Sequence, residues 1–435
     1  MLAIFGGNPV IANKELHGQY PSIGINERQR IAAVLDSGIL WGPWAPMTRE
    51  LEQKWAERTG VSHCAALNSG TAALHCALAG CGVKLGNEVI VPAYSFIATA
   101  SAVLMVGAIP IFVDIQPETG NINPDLVEAA ITDKTKAIIA VHLHGLPADI
   151  EQLRAIAQRH QLYLIEDCAQ AHGAIYQGKA VGNLSDVGAF SLNATKVLAG
   201  PEGGLLTTNS DEIFNRAAKM RVFGTEWREG KQIVRDADSL GYNYRTNELM
   251  AAFALARLEA LDSEQEIRIY NAQHFINGIK DLPGVSVPPL QAEDRNHIFQ
   301  MIRVRIDVEV LGFKLSSEEL RERIILALVA EGANWWIWER KPLPAYSIFQ
   351  SLNAEGDGYP WCLPQARKNI SYHPENYPVS LATSRDSIFT TAHFPPNTAN
   401  LMELYVEAFQ KVWANLDAIS KLPILPAESG VQNPF

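Results

Sequence analysis

From about residue 60 to 210 the chain alternates short apolar runs with stretches of helical period, and few architectures accept that alternation. Glu88-Val89-Ile90-Val91 stops at Pro92, Ala137-Ile138-Ile139-Ala140-Val141 runs into His142, and Tyr163-Leu164-Ile165 ends in Glu166-Asp167. Helix-like stretches at 124–132 and 150–159 lie between them. The pattern predicts βα units, hence an α/β domain built on a largely parallel sheet. Ligands of such sheets bind beyond the carboxyl ends of the strands, which is where Asp114 and Asp167 fall.

A chain of 435 residues has room for two domains. The expected division is an N-terminal arm at 1–24, a large domain at 25–270, a small C-terminal domain at 271–421 and an irregular tail at 422–435. A helical pattern from Glu248 to about Ile276, broken near Asp262-Ser263 and stopped by Gly278, carries the chain into the second domain. That domain opens with a strand over Ile298–Val304, continues with a helix from about Ser316 to Glu331 and closes with one over 399–417. The stretch 333–395, rich in Trp, Pro and Tyr, shows no assignable pattern.

Composition excludes several functions. A net charge of -11 without a basic cluster argues against nucleic acid. Five cysteines, an odd number with no C-x-x-C pair, read as reduced thiols of a cytoplasmic enzyme. Phe96 to Val113 carries no charge over 18 residues, but Gly107 and Pro110 divide it. A helix to about Val106 followed by the strand Ile109–Val113 is expected there, with no membrane span. The N-terminus has no basic flank and reads as no signal peptide. His142-x-His144 lacks a third ligand at a recognisable spacing, so no metal site is expected.

The chemistry concentrates elsewhere. Phe190-Ser191-Leu192-Asn193-Ala194-Thr195-Lys196 singles out one amine in a mostly small and apolar run. Asp167 ends a strand 29 residues before it, and Asn68-Ser69-Gly70-Thr71-Ala72 reads as a tight turn opening a helix. An amine, a buried acid and an anion-binding helix start are what pyridoxal 5'-phosphate (PLP) requires. Lys196 forms the Schiff base, desolvation making its neutral amine available. Asp167 holds the pyridine nitrogen protonated. Gln170 lies three residues on, in reach of the ring's phenolic oxygen. Gly70, Thr71 and Ala72 bring backbone N–H groups to the phosphate, with hydroxyls from Thr71 and Ser191. Phe96 is a candidate ring to stack on a flat cofactor. Each feature has an ordinary structural reading alone: a solvated lysine, a strand-ending turn former, a helix N-cap, a core aromatic.

Together these segments resemble the DegT-type sugar aminotransferases, densely from about residue 25 to 265. The anchors are Asn68-Ser69-Gly70-Thr71-Ala72-Ala73-Leu74, Glu88-Val89-Ile90-Val91-Pro92-Ala93-Tyr94, Val141-His142-Leu143-His144-Gly145, Glu166-Asp167-Cys168-Ala169-Gln170-Ala171-His172-Gly173, Glu202-Gly203-Gly204 and Gly241-Tyr242-Asn243-Tyr244-Arg245. The resemblance implies a fold-type-I PLP enzyme. Lys196 is then Schiff base and proton shuttle, Asp167 meets the pyridine nitrogen, Gln170 the phenolic oxygen and Phe96 the ring face. Gly70, Thr71, Ala72 and Ser191 hold the phosphate. Asn243 reaches the phosphate of a neighbouring subunit, which makes the enzyme a homodimer.

The implied reaction moves an amino group from L-glutamine or L-glutamate to a keto sugar or keto cyclitol through pyridoxamine phosphate. The opening Ala3-Ile4-Phe5-Gly6-Gly7-Asn8-Pro9-Val10, the late Tyr377-Pro378-Val379-Ser380 and the region of His393 lean towards the branch that aminates inosose-type ketones. Lys196 separates the chain from relatives that carry histidine there and dehydrate sugars. The rival readings are a PLP-dependent dehydratase or bifunctional enzyme, and a PLP-binding regulator without turnover. Pro201 departs from the usual glycine or alanine and removes an N–H close to the lysine loop.

Overall fold

The computed structural model describes residues 1–228, 231–290 and 293–423; the expected tail lies outside them from residue 424. Its central sheet has seven strands: β1 (His63–Leu67), β2 (Glu88–Pro92), β3 (Ile109–Val113), β4 (Thr135–Val141), β5 (Tyr163–Asp167), β8 (Val187–Ser191) and β9 (Gly204–Thr208). A short hairpin, β6 (Ile175–Tyr176) and β7 (Lys179–Ala180), intervenes. The order is β1-β9-β8-β5-β4-β2-β3, and only β9 runs antiparallel to its neighbours. Strands β2, β3 and β9 are buried along their whole length, as apolar runs covered on both faces must be.

The cover comes from α1 (Ile25–Ser37), α2 (Pro46–Thr59), α3 (Gly70–Gly80), α4 (Ala98–Met105), α5 (Pro124–Ala130), α6 (Ile150–Arg159) and α7 (Asp211–Arg221). In α6 the cause is plain: Ile150, Leu153, Ile156 and Ala157 form one buried stripe, while Glu151, Gln152 and Arg159 face water. The expected helices at 124–132 and 150–159, and the change from helix to strand between Phe96 and Val113, all form. Among the described residues no helix is long and apolar enough to cross a membrane.

A hairpin, β10 (Thr225–Arg228) and β11 (Lys231–Ala237), leads to α8 (Glu248–Ile279), whose 32 residues span about 48 Å. Two expectations about this helix fail. It does not break at Asp262-Ser263, because Asp262 pairs with Arg58 of α2 and Ser263 Oγ donates to Ala260 O at 3.0 Å. Nor does Gly278 stop it. A Cβ there would come within 2.5 Å of Val406, so this glycine admits a neighbouring helix instead. The first half of α8 packs in the large core through Ala251, Ala254 and Leu255, and the second packs in the small one through Ala272, Phe275 and Ile276.

The small domain is an antiparallel sheet of β12 (Val285–Ser286), β13 (Ile302–Ile306) and β14 (Ser387–Thr390) with α9 (Ser317–Ala330), α12 (Ala399–Trp413) and α13 (Leu416–Ile419). Ser316 caps α9 in a reciprocal box with Glu319. The strand expected from Ile298 begins only at Ile302. Residues 298–301 bond instead to the large domain, Ile298 N to Gly145 O at 3.1 Å and Gln300 N to His144 O at 2.8 Å.

The unassigned stretch holds α10 (Ser347–Gln350) and α11 (Pro378–Asp386) and returns to the large core, where Leu343, Phe349, Trp361, Tyr372 and Tyr377 are buried. Tyr372 Oη donates to Pro110 O at 2.7 Å, and Arg367 pairs with buried Glu88. Strand-end Asp114 is consumed here, since its carboxylate accepts from Val379 N, Ser380 N and the Ser380 hydroxyl at the start of α11.

Burial of histidines sets an acid limit. Desolvation lowers His75 and His297 to about 4, and His172 and His393 to about 3, against about 6.5 in an unfolded chain. Because the folded form holds fewer protons, the stability from these groups is full above pH 6.5 and is lost as pH falls towards 4 and 3. Each group adds about 1.4 kcal/mol per pH unit to the slope within that window. Urea melts at pH 7.5, 6 and 5 are expected to show the midpoint falling increasingly steeply; a midpoint level down to pH 5 would contradict this.

Candidate active site

The site gathers at the carboxyl ends of β2, β4 and β5, with the turn between β1 and α3. That turn begins at Asn68, whose N–H donates to Tyr244 O at 2.9 Å. Ser69 is the N-cap of α3, and its Oγ accepts from Ala72 N at 3.0 Å. The cap takes up the Ala72 N–H and leaves Gly70 and Thr71 as the helix start's open donors. Gly70 is required by close approach: a Cβ there would lie 2.7 Å from Ser191 Cβ. The contact brings the end of β8 against the start of α3 and sets the half-buried Ser191 beside those donors.

Asp167 closes β5 and is buried. Thr99 Oγ1 donates to its Oδ2 at 2.8 Å and Ala169 N to its Oδ1 at 3.2 Å, while Ser95 and Thr99 hydroxyls bond at 2.9 Å. Burial raises its pKa, opposed by the Thr99 and Ala169 hydrogen bonds and by the charge of Lys196. No basic side chain pairs with it among the described residues. This carboxylate is held in place, desolvated and short of a cation.

Lys196 follows β8 in a tight loop. Burial lowers its pKa, with Asp167 and then Glu202 pulling the other way. Its amine has no hydrogen-bond partner among the described residues. The loop is fastened from outside: Tyr20 Oη lies 2.8 Å from both Lys196 O and Val197 O and shares its one proton between them. Gln300 accepts from Val197 N at 3.0 Å and donates to Thr195 O at 2.8 Å. Inside it, Leu192 N donates to Gly203 O and Gly200 N to Leu192 O, so the loop closes without an N–H at Pro201.

Gln170 is buried, and its Oε1 accepts from His144 N at 2.7 Å. That bond fixes the amide so that only its NH2 end can donate to a ligand. Phe96 precedes α4 and is 51% exposed, a large ring left open in an otherwise buried neighbourhood. His144 and Tyr94 both meet the Trp338 indole edge-on, at 4.8 and 5.4 Å. Asn243 is exposed, with its carbonyl accepting from Asn68 Nδ2 at 3.2 Å and its Oδ1 from Arg245 Nε at 3.0 Å. Arg245 lies between the Trp41 and Phe223 rings.

His142, Glu166 and Cys168 have clustered donor atoms. His142 Nδ1 accepts from Ala148 N and its Nε2 donates to Glu166, which also accepts from Gly182 N, Leu184 N and Ser185 Oγ. Both ring nitrogens are committed, and His144 turns away to Trp338 and Phe389. The cluster is a structural brace.

Of the residues singled out in the sequence, Gly70, Thr71 and Ser191 meet at one turn, and Asp167 and Lys196 lie near enough to shift each other's pKa. Sequence reasoning missed Thr99, Tyr20 and Gln300. Thr99, three residues past Phe96, was the one within reach; the others come from distant segments with no local mark. The set fits PLP: a half-buried cradle of N–H and hydroxyl donors for a phosphate, a buried acid without a cation and an amine without a hydrogen bond among the described residues, and an open aromatic face.

Comparison with known proteins agrees. Residues 21–356 match the model of the DegT/DnrJ/EryC1/StrS aminotransferase family. A putative L-glutamine:3-amino-2,3-dideoxy-scyllo-inosose aminotransferase of Streptoalloteichus tenebrarius is 33% identical over 428 residues, covering 96% of this chain and 99% of that one. The L-glutamine:2-deoxy-scyllo-inosose aminotransferase of Streptomyces lividus is 40% identical over 282 residues, 62% of this chain and 66% of that one. Among solved structures, DesV of S. venezuelae in complex with a ketimine intermediate superposes with a TM-score of 0.73 at 30% identity, over 88% of this chain and 93% of that one. The chain therefore belongs to the DegT/DnrJ/EryC1/StrS family and is a PLP-dependent aminotransferase of fold type I.

Proposed function

We propose that this enzyme takes the amino group of L-glutamine or L-glutamate and delivers it to a keto cyclitol or keto sugar. The observation that carries the site assignment is a desolvated Lys196 amine without a hydrogen-bond partner among the described residues, close to a buried Asp167 that meets no basic side chain among them. Full-length similarity to an inosose aminotransferase supports the acceptor class.

PLP supplies an electron sink for the carbanion left when a proton leaves the substrate carbon. The protein's residues do the rest. Lys196 anchors the cofactor, and its lowered pKa lets it take a proton from one carbon and return it to another. Asp167 keeps the pyridine nitrogen protonated. Gln170 donates to the phenolic oxygen and Phe96 covers a ring face. The N–H groups of Gly70 and Thr71 and the hydroxyls of Thr71 and Ser191 hold the phosphate, whereas Ala72, expected to join them, has its N–H taken up by the Ser69 cap.

Asn243 of a second copy completes that phosphate site in a homodimer. Its exposure, beside Trp41, Phe223 and Leu240 at 55%, 47% and 77% exposed, supports a covered face there. Free thiols at Cys64, Cys76, Cys81, Cys168 and Cys362 support a reducing, cytoplasmic setting.

Glutamine labelled with ¹⁵N at the α-amino group tests the reaction. Label in the product and a glutamine-driven change in cofactor absorbance are expected. A product that has lost water without gaining label would establish the dehydratase reading instead, and a bound cofactor indifferent to both donors would favour the regulator.

A further inference from the structure

The backbone around Lys196 is held by two side chains that come from neither its own loop nor its own sheet. We infer that Tyr20 and Gln300 are positioning residues that set where the Lys196 amine can reach, tying it to the N-terminal arm and to the connector into the small domain. The inference rests on the reading of Lys196 as the cofactor-bound, proton-moving lysine.

Three consecutive residues are engaged. The Gln300 amide spans the loop, donating to Thr195 O at 2.8 Å and accepting from Val197 N at 3.0 Å. The Tyr20 hydroxyl bridges Lys196 O and Val197 O at 2.8 Å each. Both groups are themselves fixed. Gln300 is 1% exposed, and its own N–H donates to His144 O, whose residue donates in turn to Gln170. The Tyr20 ring stands edge-on to Phe394 at 4.8 Å, and Phe394 carries the Arg268 guanidinium 4.5 Å above its face. Phe299, next to Gln300, accepts from His393 Nε2 at 2.8 Å.

The clamp therefore joins three parts of the molecule at the reactive lysine. An amine that must first be bonded to the cofactor and then carry a proton between two carbons has to occupy two places within a fraction of an ångström. The loop carries Asn193 bonds to Thr195 and Lys196 but has no regular structure to hold the backbone itself. A displacement of about 1 Å costs about 100-fold in rate, so loosening this backbone acts on turnover rather than on binding.

The test uses Tyr20→Phe and Gln300→Met in the full-length enzyme, each with turnover, amide hydrogen exchange and a pH titration of the cofactor's absorbance. Both variants are expected to lose about 10- to 100-fold in kcat with KM for donor and acceptor within about threefold. Exchange at the Val197 amide is expected to speed up in Gln300→Met and not in Tyr20→Phe, whose bonds go to carbonyls. The apparent pKa of the absorbance transition is expected to move in both.

Unchanged Val197 exchange in Gln300→Met would show that the clamp is absent in solution and overturn the inference. So would fast exchange with wild-type kcat and an unmoved titration. Faster exchange across β5 and β8 with a fallen melting temperature would reduce both residues to ordinary structural roles. Exchange and titration remain readable if wild-type enzyme transfers no nitrogen, an outcome that would count against the proposed reaction alone.

Discussion

Lys196→Ala is expected to abolish amino transfer, with turnover down by at least about 10⁴-fold, and to leave the protein folded. On the proposed role of Lys196 the loss combines the covalent anchor with the group that moves the proton, and general acid–base catalysis alone contributes about 10²- to 10⁴-fold. The fold survives because the lysine amine makes no hydrogen bond among the described residues. Burying it unpartnered costs stability, so the alanine variant's melting temperature should equal or exceed that of wild type. Turnover with a labelled donor, beside a thermal melt of the cofactor-free proteins, checks both halves. Added methylamine should restore a small part of the rate, because a free amine can reach the vacated space. An inactive variant that has also lost its fold would say nothing for Lys196 as catalyst, and retained turnover would remove it from the mechanism.

Asp167→Asn is expected to lower kcat by about 10²- to 10³-fold, the scale of losing one preorganised electrostatic partner in a water-poor site. Asparagine fills the same volume and its oxygen can still accept one of the bonds from Thr99 and Ala169, so the loss is of charge more than of shape. The substitution also acts on Lys196, whose pKa Asp167 raises against the lowering by burial. Without that charge the amine becomes neutral at lower pH, and the acidic limb of the kcat profile moves down. A pH–rate profile of the variant measures both effects. A reduced kcat with an unmoved acidic limb would separate Asp167 from Lys196.

Much of the site was legible because its parts are local. A strand that must end in a carboxylate, a small-residue turn opening a helix and a single amine in an apolar run are properties of five to seven consecutive residues. Gly70 shows the mechanism: the sequence marks a tight turn, and the structure shows that Ser191 leaves no room for a Cβ. Where local rules erred, a distant contact overrode them. Asp262-Ser263 looked like a break, but α2 and the helix's own carbonyls satisfy both side chains. Gly278 looked like a helix stop and instead admits Val406. Residues 298–301 have strand propensity, yet they leave their small-domain sheet to bond to His144 and Gly145.

The sequence by itself determined the alternating α/β layout, the acid at the end of β5, the small-residue turn that opens α3 and the single amine in the loop after β8. Each follows from periodicity or from residue types a few positions apart. Only the tertiary structure decided that Asp114 is spent capping α11 while Asp167 meets no basic side chain among the described residues, and that 343–377 folds back onto the large core. It alone brought Tyr20 to the carbonyl of Lys196 and Gln300 to that of Thr195, across 176 and 105 positions of sequence. Their bonds depend on which backbone groups are left unpaired once the sheet and helices have formed. That is a property of the assembled chain, and no window of neighbouring residues contains it.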